Sequence, residues 1–375
     1  MADRRRGGGP RRRAALTALA VGLVCASCGG GERERADLLI TAPRLFDGER
    51  LISDGAVAIR GATVVAAGSR DDVDVDAMRT LELEDATLLP GFVDLHVHAL
   101  GQGQLLSLVT TARDVGGPDT ALPLAPPQPR EPRVLAAGPL ITAPGGYPIP
   151  VHGDEVGHVV RSPDEARAYV RSLADRGAAV IKVSLQFGFP VMTLATLRAI
   201  VAEAHEHGLR VTAHVGESRG TRMALEAGVD ELAHMSCERD PTLLRELAAA
   251  QIEVVGTLHV LRQYGCTVAL ENARTFVEAG GRLLYGSDYG NQGIPTGLDI
   301  VELELLHDAG LSLLQVLAAA TGRAGDVTGV EGAGRLVARS PADIVAIPAD
   351  PTRDLAALSE PPLLLVVRGQ IVVGG

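Results

Sequence analysis

The sequence predicts an α/β fold: a (β/α)8 TIM barrel with a small β-sandwich built from both ends of the mature chain. Three observations predict it. From Pro90 to about residue 320, short apolar runs alternate with stretches of helical period, the pattern of a parallel sheet with helical crossovers. Eight such units fit this span, the number that closes a barrel. The two flanks, 37–89 and 335–375, instead carry short apolar runs punctuated by turn residues.

Whole-chain properties narrow the partners. The 375 residues suit one large barrel plus a small companion, and 46% hydrophobic content is ample for a core. A net charge of −11, 3% aromatics and no Trp argue against nucleic-acid binding, so a small-molecule substrate is expected. Nothing in the composition decides whether the chain forms a homo-oligomer.

Residues 1–27 read as a signal segment. Arg4 to Arg13 form a basic stretch, and Ala14 to Val24 form an apolar run too short to span a bilayer. Cys25-Ala26-Ser27-Cys28-Gly29 follows, and it resembles a bacterial lipoprotein signal with Cys28 as the lipidated residue. Residues 28–36 then form a flexible tether. The expectation is an exported lipoprotein of a bacterial cell envelope, touching the membrane only through this anchor. Ordinary cleavage to a secreted or periplasmic protein is the alternative, and Arg12-Arg13 leaves a twin-arginine route open.

In the N-terminal flank, Leu38–Ile40, Ala56–Ile59 and Thr63–Ala66 are strand-like, with Asp47-Gly48, Asp54-Gly55 and Arg60-Gly61 as turns. Asp343–Ile347, Leu363–Val367 and Gln370–Val373 repeat this at the C-terminus. The barrel is assigned to 90–334. Its strand candidates are Phe92–His98, Leu108–Val115, Arg133–Ile141, Ala179–Leu185, Arg210–Val215, Glu231–Met235, Glu253–Leu258 and Leu283–Asp288. Ser162-Pro163-Asp164-Glu165 marks a helix start with a capping box, and Ser312 to Gln315 marks another. Thr193 to His207 and the segment from Asp240-Pro241 are also helical. His205, His207 and His307 lie on such helices and read as surface or packing residues. The long loop 142–161, with Tyr147, His152 and His158, is a candidate lid or an irregular surface loop.

The chemistry-bearing residues sit at strand ends. Lys182 is the one lysine in the chain; every other basic side chain among the 35 Lys and Arg is arginine. It lies within the apolar run Ala179–Leu185. A buried amine can lose its proton, become nucleophilic and add CO2, whereas arginine stays cationic. His96 and His98 are two apart and share one face of their strand. His214, His234 and Asp288 end three further runs. In a barrel, strand C-termini converge on one face, so all six side chains would meet. Cys237 and Cys266 follow neighbouring strand candidates, and they either pair or stay as two free thiols.

As a set, these motifs resemble the amidohydrolase superfamily in its binuclear form with a carboxylated lysine. The segments 177–183, 227–234 and 341–345 are most similar to the imidazolonepropionase-like and Xaa-Pro-dipeptidase-like branches. The resemblance implies that His96, His98 and Asp288 hold one divalent metal, and that His214 and His234 hold the other. A carbamate on Lys182, derived from CO2, and a hydroxide would bridge them. Imidazole and carboxylate donors suit Zn²⁺. Asp288 would be the general base and then the acid in cleaving the C–N bond of an amide, cyclic amide or dipeptide-like substrate.

Two alternatives stand beside this reading. His214-Val215-Gly216-Glu217 also resembles the His-x-x-Glu of mononuclear zinc deaminases, in which Glu217 would shuttle protons. A non-catalytic metal-dependent binding protein is the other. For substrate contacts, the candidates are Tyr147 and His152 on the long loop, Glu217 and Arg219 after the fifth strand, and His259, Arg262 and Tyr264 after the seventh. An arginine there would bind a carboxylate.

Overall fold

The computed structural model describes residues 33–98 and 107–374. The expected signal segment, Cys28 and most of the tether lie outside the described residues. Among the described residues, no helix is long and apolar enough to cross a membrane.

The chain adopts a TIM barrel-like α/β fold. Parallel strands Phe92–Val97, Val109–Asp114 and Arg133–Ala136 form a three-stranded sheet. A seven-stranded parallel sheet follows, ordered Gly157–Val159, Leu140–Thr142, Ile181–Ser184, Val211–His214, Glu231–Leu232, Glu253–Val255 and Leu283–Leu284. The third predicted strand is therefore two. Gly138, at φ 75°, bends the chain between them, so the first piece pairs backward and the second forward. The sixth and eighth strands are only two residues long, and their predicted ligands lie in the turns beyond them.

Strand alternation decides what faces where. In Ile181–Ser184, Ile181 and Val183 join the main apolar core with Leu173, Leu197 and Ile200, which sends Lys182 to the opposite face. The covering helices start where the sequence places caps. Ser162 accepts the Glu165 N–H, and Ala166, Tyr169, Val170 and Leu173 form the buried face of helix Pro163–Asp175. Burial of such apolar side chains contributes about 1.5–3 kcal/mol each. The Glu165 carboxylate accepts the Arg161 N–H, one residue before the expected Ser162, so this capping box is incomplete. At Ser312 and Gln315 both bonds of the box form. Thr193 and Asp240 cap Leu194–Glu206 and Pro241–Ala249.

Both ends of the chain contribute to one eight-stranded mixed sheet. Its order is Gln370–Val373, Leu364–Val367, Ile344–Ile347, Thr87–Pro90, Leu38–Phe46, Leu51–Arg60 and Thr63–Ser69, with Thr80–Glu82 also on Leu38–Phe46. A second apolar core, including Ile40, Leu45, Val57, Leu88, Ile344 and Val366, lies against it. The expected sandwich thus differs in form: the strands hydrogen-bond into a single sheet, because Thr87–Pro90 pairs with both Leu38–Phe46 and Ile344–Ile347 and bridges the two flanks.

Candidate metal centre

Four of the six strand-end side chains predicted to meet, His96, Lys182, His234 and Asp288, are buried, His98 and His214 are partly buried, and all six line one cavity of about 680 Å³. His96 Nε2 and His98 Nε2 lie 3.5 and 3.3 Å from Asp288 Oδ1. Ligand atoms of these three residues all lie within 4.8 Å of one another. The His96 and His234 rings are 4.6 Å apart, as are those of His214 and His234.

The imidazoles are held for lone-pair donation. The His96 Nδ1–H donates to the Ala233 carbonyl at 3.0 Å, which leaves the Nε2 lone pair toward Asp288. His234 Nδ1 is 2.9 Å from the Thr257 hydroxyl. Burial is the main cause that pushes His96, His214 and His234 well below the usual imidazole range, and the neighbouring Lys182 adds to it. The shift favours the neutral form, which metal ligation requires.

Lys182 is 1% exposed, and its Nζ has no hydrogen-bond partner. Burial lowers its pKa to about 7; Asp288 opposes the shift and Arg113 adds to it. An orphaned buried amine is costly unless something completes it. Imidazoles and an acid on one wall form a donor set that suits a divalent metal ion, with His96, His98 and Asp288 close enough to share one.

Asp288 sits at φ 59°, a left-handed conformation that Asp and Asn tolerate better than other side chains. Its N–H donates to the His96 carbonyl at 2.8 Å, and the Asn291 amide donates to its Oδ1 at 2.9 Å. Behind it stands a brace that the sequence reading missed. The Asp94 carboxylate accepts the His96 N–H, the Ser287 N–H and, at 2.6 Å, the Ser287 hydroxyl. Burial raises Asp94 to about 7, with the Ser287 bonds opposing. The signal was present: Asp94 lies two residues before His96, on the same strand face. A second missed feature is the buried pair Arg113–Glu231.

Candidate substrate contacts divide. Tyr147 and His152 line the cavity; the Tyr147 ring stacks on His214 at 4.5 Å, and its hydroxyl is 3.3 Å from His152 Nε2. Tyr264 lines it too. Glu217, His259 and Arg262 are absent from that lining, although their neighbours Gly216, Val260 and Leu261 belong to it. The Glu217 carboxylate accepts the Phe187 N–H. His259 is held 2.6 Å from Asp299. Arg262 points from a short helix into solvent. The Arg219 guanidinium lies over the Phe187 ring at 4.2 Å. His205 Nε2 lies 3.0 Å from Asp230, beyond the next helix, and His307 Nδ1 lies 2.7 Å from the Leu311 carbonyl, just past its own helix.

Cys237 and Cys266 form a disulfide that ties the loop after His234 to the segment after the seventh strand. It closes a loop spanning 29 residues, so Cys266→Ser is expected to cost about 3–4 kcal/mol of stability. Denaturant midpoints of the variant and of the reduced wild type should fall together. An unchanged midpoint would show that the bond contributes nothing to folding.

Comparison with known proteins adds the following. The model of the amidohydrolase family matches residues 105–372. Uncharacterized proteins of Mycobacterium tuberculosis and Mycobacterium bovis are each 27% identical over 333 residues, which is 76% of this chain and 84% of theirs. An Xaa-Pro dipeptidase crystallised with methionine is similar with a TM-score of 0.76 and 22% identity, over 90% of this chain and 100% of its own. An ochratoxinase of A. niger is similar with a TM-score of 0.76 and 20% identity, over 90% and 96%. At these identities the structural likeness is one of fold.

Proposed function

The chain belongs to the amidohydrolase family, hydrolases acting on carbon–nitrogen bonds, and from that premise we propose that it cleaves an amide, cyclic amide or dipeptide-like substrate at a centre of two divalent metal ions. His96, His98 and Asp288 would hold one ion, and His214 and His234 the other. Lys182, as its carbamate, would serve both. The observation that carries this is the buried, unpartnered Lys182 amine beside neutral histidines. As a neutral amine it can add CO2 and release one proton, which replaces a stranded donor with an anion. When bound, such ions, zinc by the donor set, lower the pKa of a water and polarise a carbonyl.

Asp288 takes the proton from the attacking water and returns it to the leaving amine, a role contributing about 10²–10⁴-fold. Asn291 and the Asp94 brace hold Asp288 and His96 in place for it. The Tyr147 hydroxyl offers the cavity a donor for charge developing on the carbonyl oxygen. A closed (β/α)8 barrel over 90–334 belongs to this reading. It is supported by backbone bonds from Leu95 to Tyr285 (3.3 Å), from Asp288 to His96 (2.8 Å) and from Ala179 to Ala136 (2.9 Å). Export with a lipid anchor at Cys28 also belongs to it, and the disulfide supports an oxidising compartment.

The test is metal content and amine release by the metal-loaded protein on a library of amides. Two equivalents per chain and stoichiometric amine are expected; metal-loaded protein that releases no amine from any amide would overturn the reading. The deaminase alternative needs Glu217 at the reacting atoms, whereas Glu217 is engaged with Phe187 away from the cavity lining. Glu217→Gln is therefore expected to keep most of the turnover. A loss of about 10²-fold or more, the scale of a missing proton shuttle, would favour the deaminase.

A further inference from the structure

The cavity wall away from the candidate ligands carries no cation among the described residues. The remaining acid of the lining, Asp114, lies within electrostatic reach of Lys182, and its carboxylate accepts the Gly116 N–H at 3.2 Å. The arginines near the site lie outside the lining: Arg113 is paired with Glu231, Arg219 lies over Phe187, and Arg262 is exposed to solvent. Residues 99–106, between the first two strands, contain neither Lys nor Arg in sequence. Otherwise Phe189, Val156, Leu140, Val260 and Leu261 make an apolar surface. At the rim, Val151 is 56% and Tyr264 70% exposed, large apolar groups left in water at the cavity mouth. Exposed apolar groups gathered at a concave site mark a surface that an apolar ligand covers.

We infer that this cavity selects uncharged amides bearing an apolar or aromatic substituent, and discriminates against substrates with a free carboxylate beside the scissile bond. The inference rests on the amidohydrolase reading and narrows it. A carboxylate held against this wall, away from the candidate metal ligands, leaves water with no Lys or Arg of the lining to meet it, so its desolvation is poorly compensated. An apolar ring instead exchanges water for Phe189, Leu261 and Tyr264. The reaction is ordinary hydrolysis: the C–N bond breaks, water oxygen bonds the carbonyl carbon, one water proton goes to the amine, and a carboxylic acid and an amine leave. A cavity of about 680 Å³ accommodates a drug-sized amide of this kind.

The test uses binding, so that it does not depend on turnover. Calorimetry on the metal-loaded protein compares benzenesulfonyl-prolinol methyl ether with benzenesulfonyl-proline, a pair that contains no carboxamide and differs in one charge. The methyl ether is expected to bind about tenfold or more tightly, as an unpaired carboxylate would cost. Val151→Arg, a change at an exposed rim position, is expected to narrow or reverse that preference. Equal or tighter binding of the acid to the wild type overturns the inference, and so does failure of both ligands to bind. Hydrolysis of benzoyl-proline carboxamide, measured in parallel, bears on the amidohydrolase reading alone.

Discussion

Lys182→Met is expected to abolish hydrolysis and, in the metal-stripped protein, to raise stability. The two effects share one cause. The amine is fully buried and bonded to nothing, so the metal-free fold bears the desolvation of a polar group. Methionine has similar length, no polar atom and an adaptable chain, and it removes a penalty of about 1–3 kcal/mol. A higher denaturant midpoint at unchanged slope, measured in chelator, is the expected result. With metals supplied, the variant loses the group proposed to bridge them. Metal content should fall from two equivalents toward one or none, and kcat/KM by about 10³-fold, the scale of several kcal/mol. A variant that is less stable without metal would show that the amine has a partner in solution. A variant that keeps its activity would remove the carbamate from the mechanism.

Asp288→Asn should cost about 10²–10⁴-fold in kcat while leaving the fold intact, and Asp288→Ala should cost as much and destabilise as well. The distinction comes from the backbone. At φ 59°, asparagine is tolerated, whereas alanine bears about 1–2 kcal/mol of left-handed strain. Kinetics with metal titration and thermal unfolding of both variants separate the contributions. Equal stability of the two would mean that the turn relaxes away from its left-handed geometry. Turnover by Asp288→Asn near the wild-type rate would transfer the proton relay to another group.

Much of the candidate site was legible because strand periodicity is a local property. His96 and His98 share a face by spacing alone, and Lys182 announces itself as a lone amine in an apolar run. Helix caps at Ser162, Thr193, Asp240 and Ser312 were equally readable. The candidate substrate contacts that the structure keeps out of the cavity lining lie after the fifth and seventh strands. Glu217 and His259 are polar groups following strand ends, the same signal as His214. What separates them is which neighbour reaches them first: the Phe187 N–H for Glu217, Asp299 for His259. No spacing rule encodes a partner 30 or 40 residues away.

The sequence by itself determined the alternation of elements, the strand-end position of each candidate ligand and the lone amine among them, since these follow from period, caps and residue chemistry. Only the tertiary structure decided that the third strand breaks at Gly138, that both flanks join one sheet through Thr87–Pro90, and that Asp94 and Ser287, 193 residues apart, brace the site. It also decided the character of the cavity wall. That wall is assembled from loops of several strands, and the sign of its charge depends on where each arginine finds its closest partner, which chain order does not encode.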